Sequence, residues 1–535
     1  MNSTLLSTNL TPPMEGDEFL VISGSISHIQ NFIYDTKSQG ALKNLRGRSF
    51  FLSLLARAVC DRLLHELGAK QNSVLYNSGG TFCIIVPSTC SLHSKIKSII
   101  KEVKQMAVKM LHTDIVNISY INTSSEELST DCARVFARLF EKKHQHKFMP
   151  YGADADYDSL FCAMARVSHG SYEHIGSNLC NITGILVSRE KLISESALCV
   201  DMHEIGTYFY LGKASELVST KINDNAYLLL INGEPEPNCC NIPTYCEYIA
   251  GNGARANSFE ELFSQNDSLH RRLAVLRMDI DNLGALLQAK MRQKNPLSSY
   301  VEFSRKLDKY FKESINEMWT RKYSDSTVII YAGGDDLFMV GEWESTLKFA
   351  TEINDNFRKF FGNEKMGISG GVSFVESKFP IIRAAEMSAR EEGLAKNFNF
   401  EGHIKDCLSI FGTPLRWSHE YQWIDEYQRN LCQLIKDGEI EESFIRHILQ
   451  ISENVSFENG KITPVRYIWL AAYDLSRLAR RMKAQSSGAG FIKRSINDIM
   501  SGRTFDGRVI NSPYHSLQLI TIAARIAEMK LWKNN

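Results

Sequence analysis

The feature that most restricts how this chain can fold is an internal repeat. Around 22–30 the sequence reads ISGSISHIQ, and around 276–284 it reads LRMDIDNLG. Aligned, Ser25 falls on Asp279, Ile26 on Ile280 and Ser27 on Asp281. A second pair follows: LYNSGGTFCIIV at 75–86 and VIIYAGGDDLFMV at 328–340. Gly79 and Gly80 match Gly333 and Gly334, while Thr81 and Phe82 stand where the other copy has Asp335 and Asp336. From Ser25 to Gly79 is 54 residues, and from Asp279 to Gly333 is also 54. Two motifs in register at equal separation indicate two copies of one folding unit. One copy keeps its carboxylates and the other lacks them.

Local patterns give both copies the same element order. Phe19–Ser23 and Val275–Asp279 are apolar runs of strand length. Leu45–Leu67 and Tyr300–Trp319 read as helices, and the runs around each Gly-Gly pair read as hairpins. A further strand is expected over 366–375. An amphipathic helix is expected over 381–398, with Ile381, Ala384, Ala385, Ser388 and Leu394 near one face. The order β-α-β-β-α-β is the ferredoxin-like, or palm, arrangement. The fold class is therefore read as α+β: two ferredoxin-like palm domains, an irregular insert between them and a C-terminal helical domain. The expected boundaries are 1–142 for the first palm, 143–250 for the insert, 251–412 for the carboxylate-bearing palm and 413–535 for the helices. Within the last segment, SSGAGFIKRS at 486–495 reads as a flexible loop.

In a palm the first strand and the central hairpin lie side by side, so Asp279 is expected to face Asp335 and Asp336. Carboxylates gathered at one edge repel each other unless cations sit between them. Mg²⁺ or Mn²⁺ takes hard oxygen ligands of this kind together with phosphate oxygens. Two such ions can activate a 3′-hydroxyl and stabilise a leaving pyrophosphate. Asp279, Asp335 and Asp336 are the candidate catalytic residues, and these three with Asp281 are the candidate metal ligands. The alternative is structural: Asp279 and Asp281 as a strand-end cap and a turn residue, and Gly-Gly-Asp as a tight turn only. Lys396 reads either as a point charge for a triphosphate or as a solvated lysine at a helix C-terminus.

Bulk properties exclude little. Lys plus Arg and Asp plus Glu number 61 each, so net charge points to no nucleic-acid or membrane partner. The first residues lack the basic segment and long apolar core of a signal peptide. No apolar run approaches membrane-spanning length. Twelve cysteines are scattered without a disulfide-like framework. A cytoplasmic location with reduced thiols is the expectation.

At this point the residues resemble a known family. LRMDIDNLG, YAGGDDLFMVGEWE and GGVSFVESKFPIIRAAEMSAREEGLAK look like the second palm domain of the large signature subunit of type III CRISPR effector complexes, in its Csm-type form. ISGSISHIQNFIY, LKNLRGRSFFLSLLA and LYNSGG look like its first palm domain. The resemblance runs from about residue 19 to 412. It implies an RNA-activated nucleotidyltransferase that makes cyclic oligoadenylates from ATP inside a crRNA-containing antiviral complex with other CRISPR subunits. Target RNA would be the activator.

Carried over, Asp279, Asp335 and Asp336 would hold the metals. Ser78, Gly79 and Gly80 would border the ATP held by the carboxylate-free palm. Lys396 matches the phosphate-contacting lysine of related cyclase palms. Asn282, Gly333 and Gly334 complete the nucleotide-binding candidates. The C-terminal helices would contact the small subunit and the crRNA-bearing backbone.

Two departures from the family pattern stand out. The family commonly begins with an HD nuclease domain. Here 18 residues precede the first palm strand and no His-Asp dipeptide occurs, so that chemistry is expected to be missing from this chain. The family often carries a CxxC…CxxC zinc ribbon between the palms. Here Cys180 and Cys199 remain, Thr183 and Met202 sit where their partners would be, and His203 is only adjacent. A structural zinc is not expected from so irregular a set. Cys239, Cys240 and Cys246 are read as loop cysteines. Three further functional readings stay open: a dinucleotide cyclase, a synthase joining AMP to another small molecule, and a catalytically silent scaffold.

Overall fold

A computed structural model of the chain describes residues 17–534 except 35, 37–39, 112–114, 149–171, 193–196, 219–225, 234–241, 264–270, 363–365, 401–402, 454–455, 459–460, 464–465, 484 and 502–512. The repeat is realised as two sheets of the same topology. In the first, β1 (Glu18–Ile26) lies between β3 (Thr81–Pro87) and β4 (Val116–Ser124), with β2 (Val74–Ser78) outside β3. The order β2-β3-β1-β4 is the ferredoxin-like one.

Side chains alternate across the sheet, and both faces are covered. Leu20, Ile22, Phe82 and Ile84 pack with the helices Ala41–Glu66 and Cys90–Leu111. Phe19, Val21, Cys83 and Ile85 pack with the helix Cys132–Phe148 and with Leu297, Tyr300 and Val301 of the second palm. Burial on both faces explains why the strands read as continuous apolar runs.

The second sheet repeats the order as β11 (Thr327–Gly333), β12 (Asp336–Glu342), β10 (Arg272–Ile280) and β13 (Ile368–Glu376). Cys407–Ile410 pairs parallel to β13, and Thr413–Arg416 returns against it. The sheet therefore continues past residue 412, where the second palm was expected to end. The helix Cys132–Phe148 likewise crosses the expected boundary at 142. The helical stretch expected over 300–319 runs from Pro296 to Lys322 and contains a π-helical turn at Tyr310–Ser314.

Two expectations need correction. The insert is not irregular: β5 (Gly184–Ser188), β6 (Leu198–Met202), β7 (Thr207–Gly212), β8 (Tyr227–Ile231) and β9 (Thr244–Glu247) form one sheet in the order β6-β7-β5-β8-β9. Its strands are only four to six residues long, too short for a clear periodic signal. The segment 486–495 is not a loop, because Ser487–Ser501 is a helix that buries Ala489, Phe491, Ile492 and Ile499. One of its glycines, Gly488, serves a close contact. A Cβ on Gly488 would lie 2.5 Å from the Glu439 carbonyl oxygen.

Strand pairing also revises the alignment of the two copies. Ser25 pairs with Thr81 across β1 and β3, and Asp279 pairs with Asp336 across β10 and β12. Ile22 pairs with Ile84, and Leu276 with Met339. Thr81 is therefore the structural counterpart of Asp336, and Gly80 that of Asp335. Matching Gly-Gly to Gly-Gly had placed Thr81 and Phe82 there, one residue out. Hydrogen-bond register decides equivalence in a sheet, and a one-residue slip reverses every side chain. The match extends into the loops. His28 and Asn282 are both left-handed, at φ 55° and 56°, and each precedes a helix.

Candidate active site

Three carboxylates meet where β10 ends beside the β11–β12 turn. Asp279 is the penultimate residue of β10, and Asp336 opens β12 directly opposite. Asp335 lies in the two-residue turn, and its carbonyl accepts from the Ile280 N–H at 3.3 Å. One ligand atom from each of Asp279, Asp335 and Asp336 lies within 4.8 Å of the others. No other group of three such side chains converges this way among the described residues.

The electrostatics are unfavourable without a cation. Burial, and then the neighbouring Asp335 charge against the relief from Lys396, pushes the Asp279 carboxyl up to about 7. Burial raises Asp335, and burial followed by repulsion from Asp335 and Asp279 raises Asp336 well above the ordinary range. Asp279 Oδ1 is buried and accepts no hydrogen bond. An orphaned oxygen in a crowd of like charges is the donor set a hard divalent cation needs. The residues present fit such an ion.

Asp281 does not join the three. It is 4 % exposed, and its Oδ2 accepts from Ser369 Oγ at 2.8 Å and from the Asp406 N–H at 2.9 Å. The first palm keeps this contact in uncharged form, as Asn117 Nδ2 donates to Ser27 Oγ. Lys396, the last residue of the helix Ile381–Lys396, reaches the end of β10. Its Nζ pairs with Asp279 Oδ2 at 2.8 Å and Asp281 Oδ1 at 3.2 Å. It also donates to the Asp279 and Ile280 carbonyls at 3.0 and 2.7 Å. Asn282 opens the helix Leu283–Lys290 and accepts from Lys405 Nζ at 2.7 Å.

The two glycine turns face each other. A Cβ on Gly79 would lie 3.1 Å from the Gly333 carbonyl oxygen. Ser78 Oγ accepts from the Gly334 N–H at 3.2 Å and donates to the Asp308 carboxylate. Asp308 pairs with Lys312, and Lys312 with Glu247 of β9. The glycines thus let two hairpin tips touch, a role not read from their sequence.

Beside the tips opens a cavity of about 590 Å³, within the range typical of small-molecule sites. Ser27, His28 and Gly80 of the first palm and Tyr331, Asp335 and Asp336 of the second line it. Ser78, Gly79 and Gly333 also border it, whereas Asp279, Asn282, Gly334 and Lys396 are not among its lining residues.

Arg277, Tyr34 and Glu392 were not anticipated. The Arg277 guanidinium is 5 % exposed and donates to Tyr34 OH at 2.7 Å. It lies 5.4 Å from the Tyr34 ring and 5.3 Å from the Phe338 ring. A fixed cation two residues before Asp279, bonded to the other palm, offsets part of the acidic field. Glu392 adds to that field and raises Asp336. An arginine inside an apolar strand was the available signal.

Cys199 and Cys246 lie on opposite edge strands of the insert sheet, β6 and β9. Four strand spacings, roughly 19 Å, separate those edges, so the two cannot share one ion. Cys239 and Cys240 lie outside the described residues. No helix among the described residues is long and apolar enough to cross a membrane.

Comparison with known proteins agrees with this architecture. A family model described as Cas10/Cmr2, second palm domain, matches residues 272–404, and one described as Csm1 subunit domain B matches 18–162. The chain is 26 % identical over 505 residues to a Streptococcus thermophilus protein named CRISPR system single-strand-specific deoxyribonuclease Cas10/Csm1, subtype III-A. That alignment covers 88 % of this chain and 64 % of the relative, so the chain spans under two thirds of the relative's length. A Csm1–Csm4 cassette in complex with one ATP superposes with a TM-score of 0.70 at 19 % identity, covering 95 % of this chain and 70 % of that one. A Csm1–Csm4 cassette in complex with cA3 gives 0.69 at 18 % identity and the same coverage.

Proposed function

Since the chain belongs to the Cas10/Csm1 family of type III CRISPR large subunits, we propose that it joins ATP into cyclic oligoadenylates. The observation that carries this reading is the convergence of Asp279, Asp335 and Asp336, the last two of which line a cavity shared by two palms. Related cassettes bound to ATP and to cA3 support it. The cavity wall from the second palm carries Asp335 and Asp336, and the wall from the first palm carries Gly79 and Gly80 with Arg46 and Arg57. An ATP against Gly79 and Gly80 presents its 3′-hydroxyl toward a second ATP at Asp335 and Asp336. The 3′-oxygen bonds to the α-phosphorus, the bridge to the β-phosphate breaks, pyrophosphate leaves and the hydroxyl proton passes to solvent.

Asp279, Asp335 and Asp336 would hold Mg²⁺ or Mn²⁺. When bound, such ions supply charge neutralisation at the attacking and leaving oxygens. The chain's own part is placement. Gly79 and Gly333 set the distance between the palms, Ser78 ties the tips together, and the walls screen the triphosphate from water. One carboxylate set serves both nucleotides, which accounts for Ser25 and Thr81 where the other palm has Asp279 and Asp336. Within this reading, the partners are the crRNA-bearing subunits of a type III complex, and target RNA is the activator.

The test is direct. The assembled complex with complementary RNA, ATP and Mg²⁺ is expected to release oligoadenylates identified by mass spectrometry. Asp335→Ala with Asp336→Ala is expected to abolish them without loss of assembly. Undiminished product from that double variant overturns the site. A two-nucleotide product points to the dinucleotide reading, and AMP joined to a different small molecule to the AMP-transfer reading.

A further inference from the structure

Lys396 sits in an oxygen cage. Its ammonium has four oxygens within 3.2 Å: Asp279 Oδ2, Asp281 Oδ1 and the main-chain carbonyls of Asp279 and Ile280. Two carboxylates and two consecutive carbonyls around one positive charge are the ligand set of a hard cation. The cage is built rather than adventitious. Asp281 is 4 % exposed and is immobilised through its other oxygen by Ser369 and by the Asp406 N–H. Asp406 is itself clamped by Arg358, which places two hydrogen bonds of 2.7 and 2.8 Å on its carboxylate. Residues Lys405 and Asp406 both hold left-handed backbone, at φ 58° and 53°, a conformation non-glycine residues adopt at a cost. Asp281 Oδ1 faces the ammonium at 3.2 Å without a well-aligned hydrogen bond.

We propose that Lys396 is the resident cation of the metal-free site, and that a divalent ion binding at Asp279 displaces it toward the triphosphate. This rests on the reading of Asp279 as a metal ligand given above. Asp279 Oδ2 cannot serve the ammonium and a close-bound ion equally. Ammonium contacts are near 3 Å, whereas Mg²⁺–oxygen distances are about 2.0–2.1 Å. Closing the oxygens around a small ion therefore expels the larger group. The freed amine lies at the end of its helix on a flexible stem and is 19 % exposed. Its departure carries one positive charge out of the cage as two arrive. The same lysine then acts in sequence as a placeholder for metal and as a contact for phosphate.

Two measurements on the full chain test this without reference to turnover. Mn²⁺ binding, followed by loss of the free-ion electron paramagnetic resonance signal, is expected to be about tenfold tighter in Lys396→Met than in the native chain. Lys396→Arg, which keeps a cation, is expected to bind no more tightly than the native chain. In the native chain, acylation of Lys396 by an amine-reactive reagent, read by peptide mass spectrometry, is expected to accelerate several-fold on adding Mn²⁺. Equal or weaker Mn²⁺ binding by Lys396→Met overturns the proposal. So does a labelling rate that Mn²⁺ leaves unchanged, which needs no variant to fold. A chain that shows the exchange but makes no oligonucleotide contradicts the proposed function and leaves the exchange intact.

Discussion

Gly79 of one palm and Gly333 of the other meet at the tips of their hairpins, closer than a Cβ on Gly79 would ordinarily sit. A Cβ on Gly79 would stand 3.1 Å from the Gly333 carbonyl oxygen and 3.3 Å from Gly334 Cα. Gly79 and Gly80 both have positive φ, at 57° and 71°, as a two-residue type I′ hairpin demands. The contact fixes the spacing of the two walls of the cavity.

Gly79→Ala is therefore expected to fail twice, by backbone strain and by collision with the facing turn. The strain alone costs roughly 1–2 kcal/mol. Denaturant unfolding measures that loss. ATP affinity, measured by calorimetry, is expected to fall as well, because the tips must separate. Native affinity in a folded Gly79→Ala chain would count against the shared-cavity reading.

The pH dependence of stability follows from Asp279. Its folded carboxyl is pushed up to about 7, above the ordinary value of 3.8. Between these values the folded chain binds more protons than the unfolded chain, so this group's contribution to stability falls as pH rises. Other carboxylates, such as Glu352, are shifted downward and act in the opposite sense. The difference between native and Asp279→Asn chains isolates the effect. With no metal present, the variant is expected to gain stability relative to the native chain from pH 4 to 7, read from thermal midpoints.

Divalent cations are expected to reverse that penalty. Mn²⁺ at a hundred times its dissociation constant stabilises the folded state by about 2.7 kcal/mol. The thermal midpoint of the native chain should rise with added Mn²⁺ and fall again with chelator. In Asp335→Ala with Asp336→Ala the rise is expected to vanish, while the metal-free midpoint stays level or increases.

Tyr34 and Arg277 tie the first palm to the floor of the carboxylate site. Tyr34→Phe removes only the hydroxyl and leaves a buried guanidinium N–H without that acceptor. Such a loss costs about 1–3 kcal/mol. Pairing Tyr34→Phe with Arg277→Met is expected to recover part of it, since no donor is then stranded. Additive losses in the double variant would show that the 2.7 Å contact does not couple the two residues.

The sequence alone determined the duplicated topology, the hairpins and the convergence of Asp279 with Asp335 and Asp336. The duplication follows from motifs in register between the copies, and the rest from periodicity and spacing within one copy, where strand pairing leaves few alternatives. Tertiary structure decided the rest. It moved the correspondence of the copies by one residue, because Ser25 pairs with Thr81 and not with the residue that identity suggests. It removed Asp281 from the carboxylate group, because Ser369 and Asp406 claim its oxygen. It turned Lys396 toward β10, brought Tyr34 to Arg277 and set the two glycine turns tip to tip. It also ordered the insert into a sheet whose strands are too short to announce themselves. These contacts join segments well separated in the chain, by 88 residues for Asp281 and Ser369 and by 243 for Tyr34 and Arg277. Periodicity reports which face of an element is buried, but it carries no record of which distant element buries it.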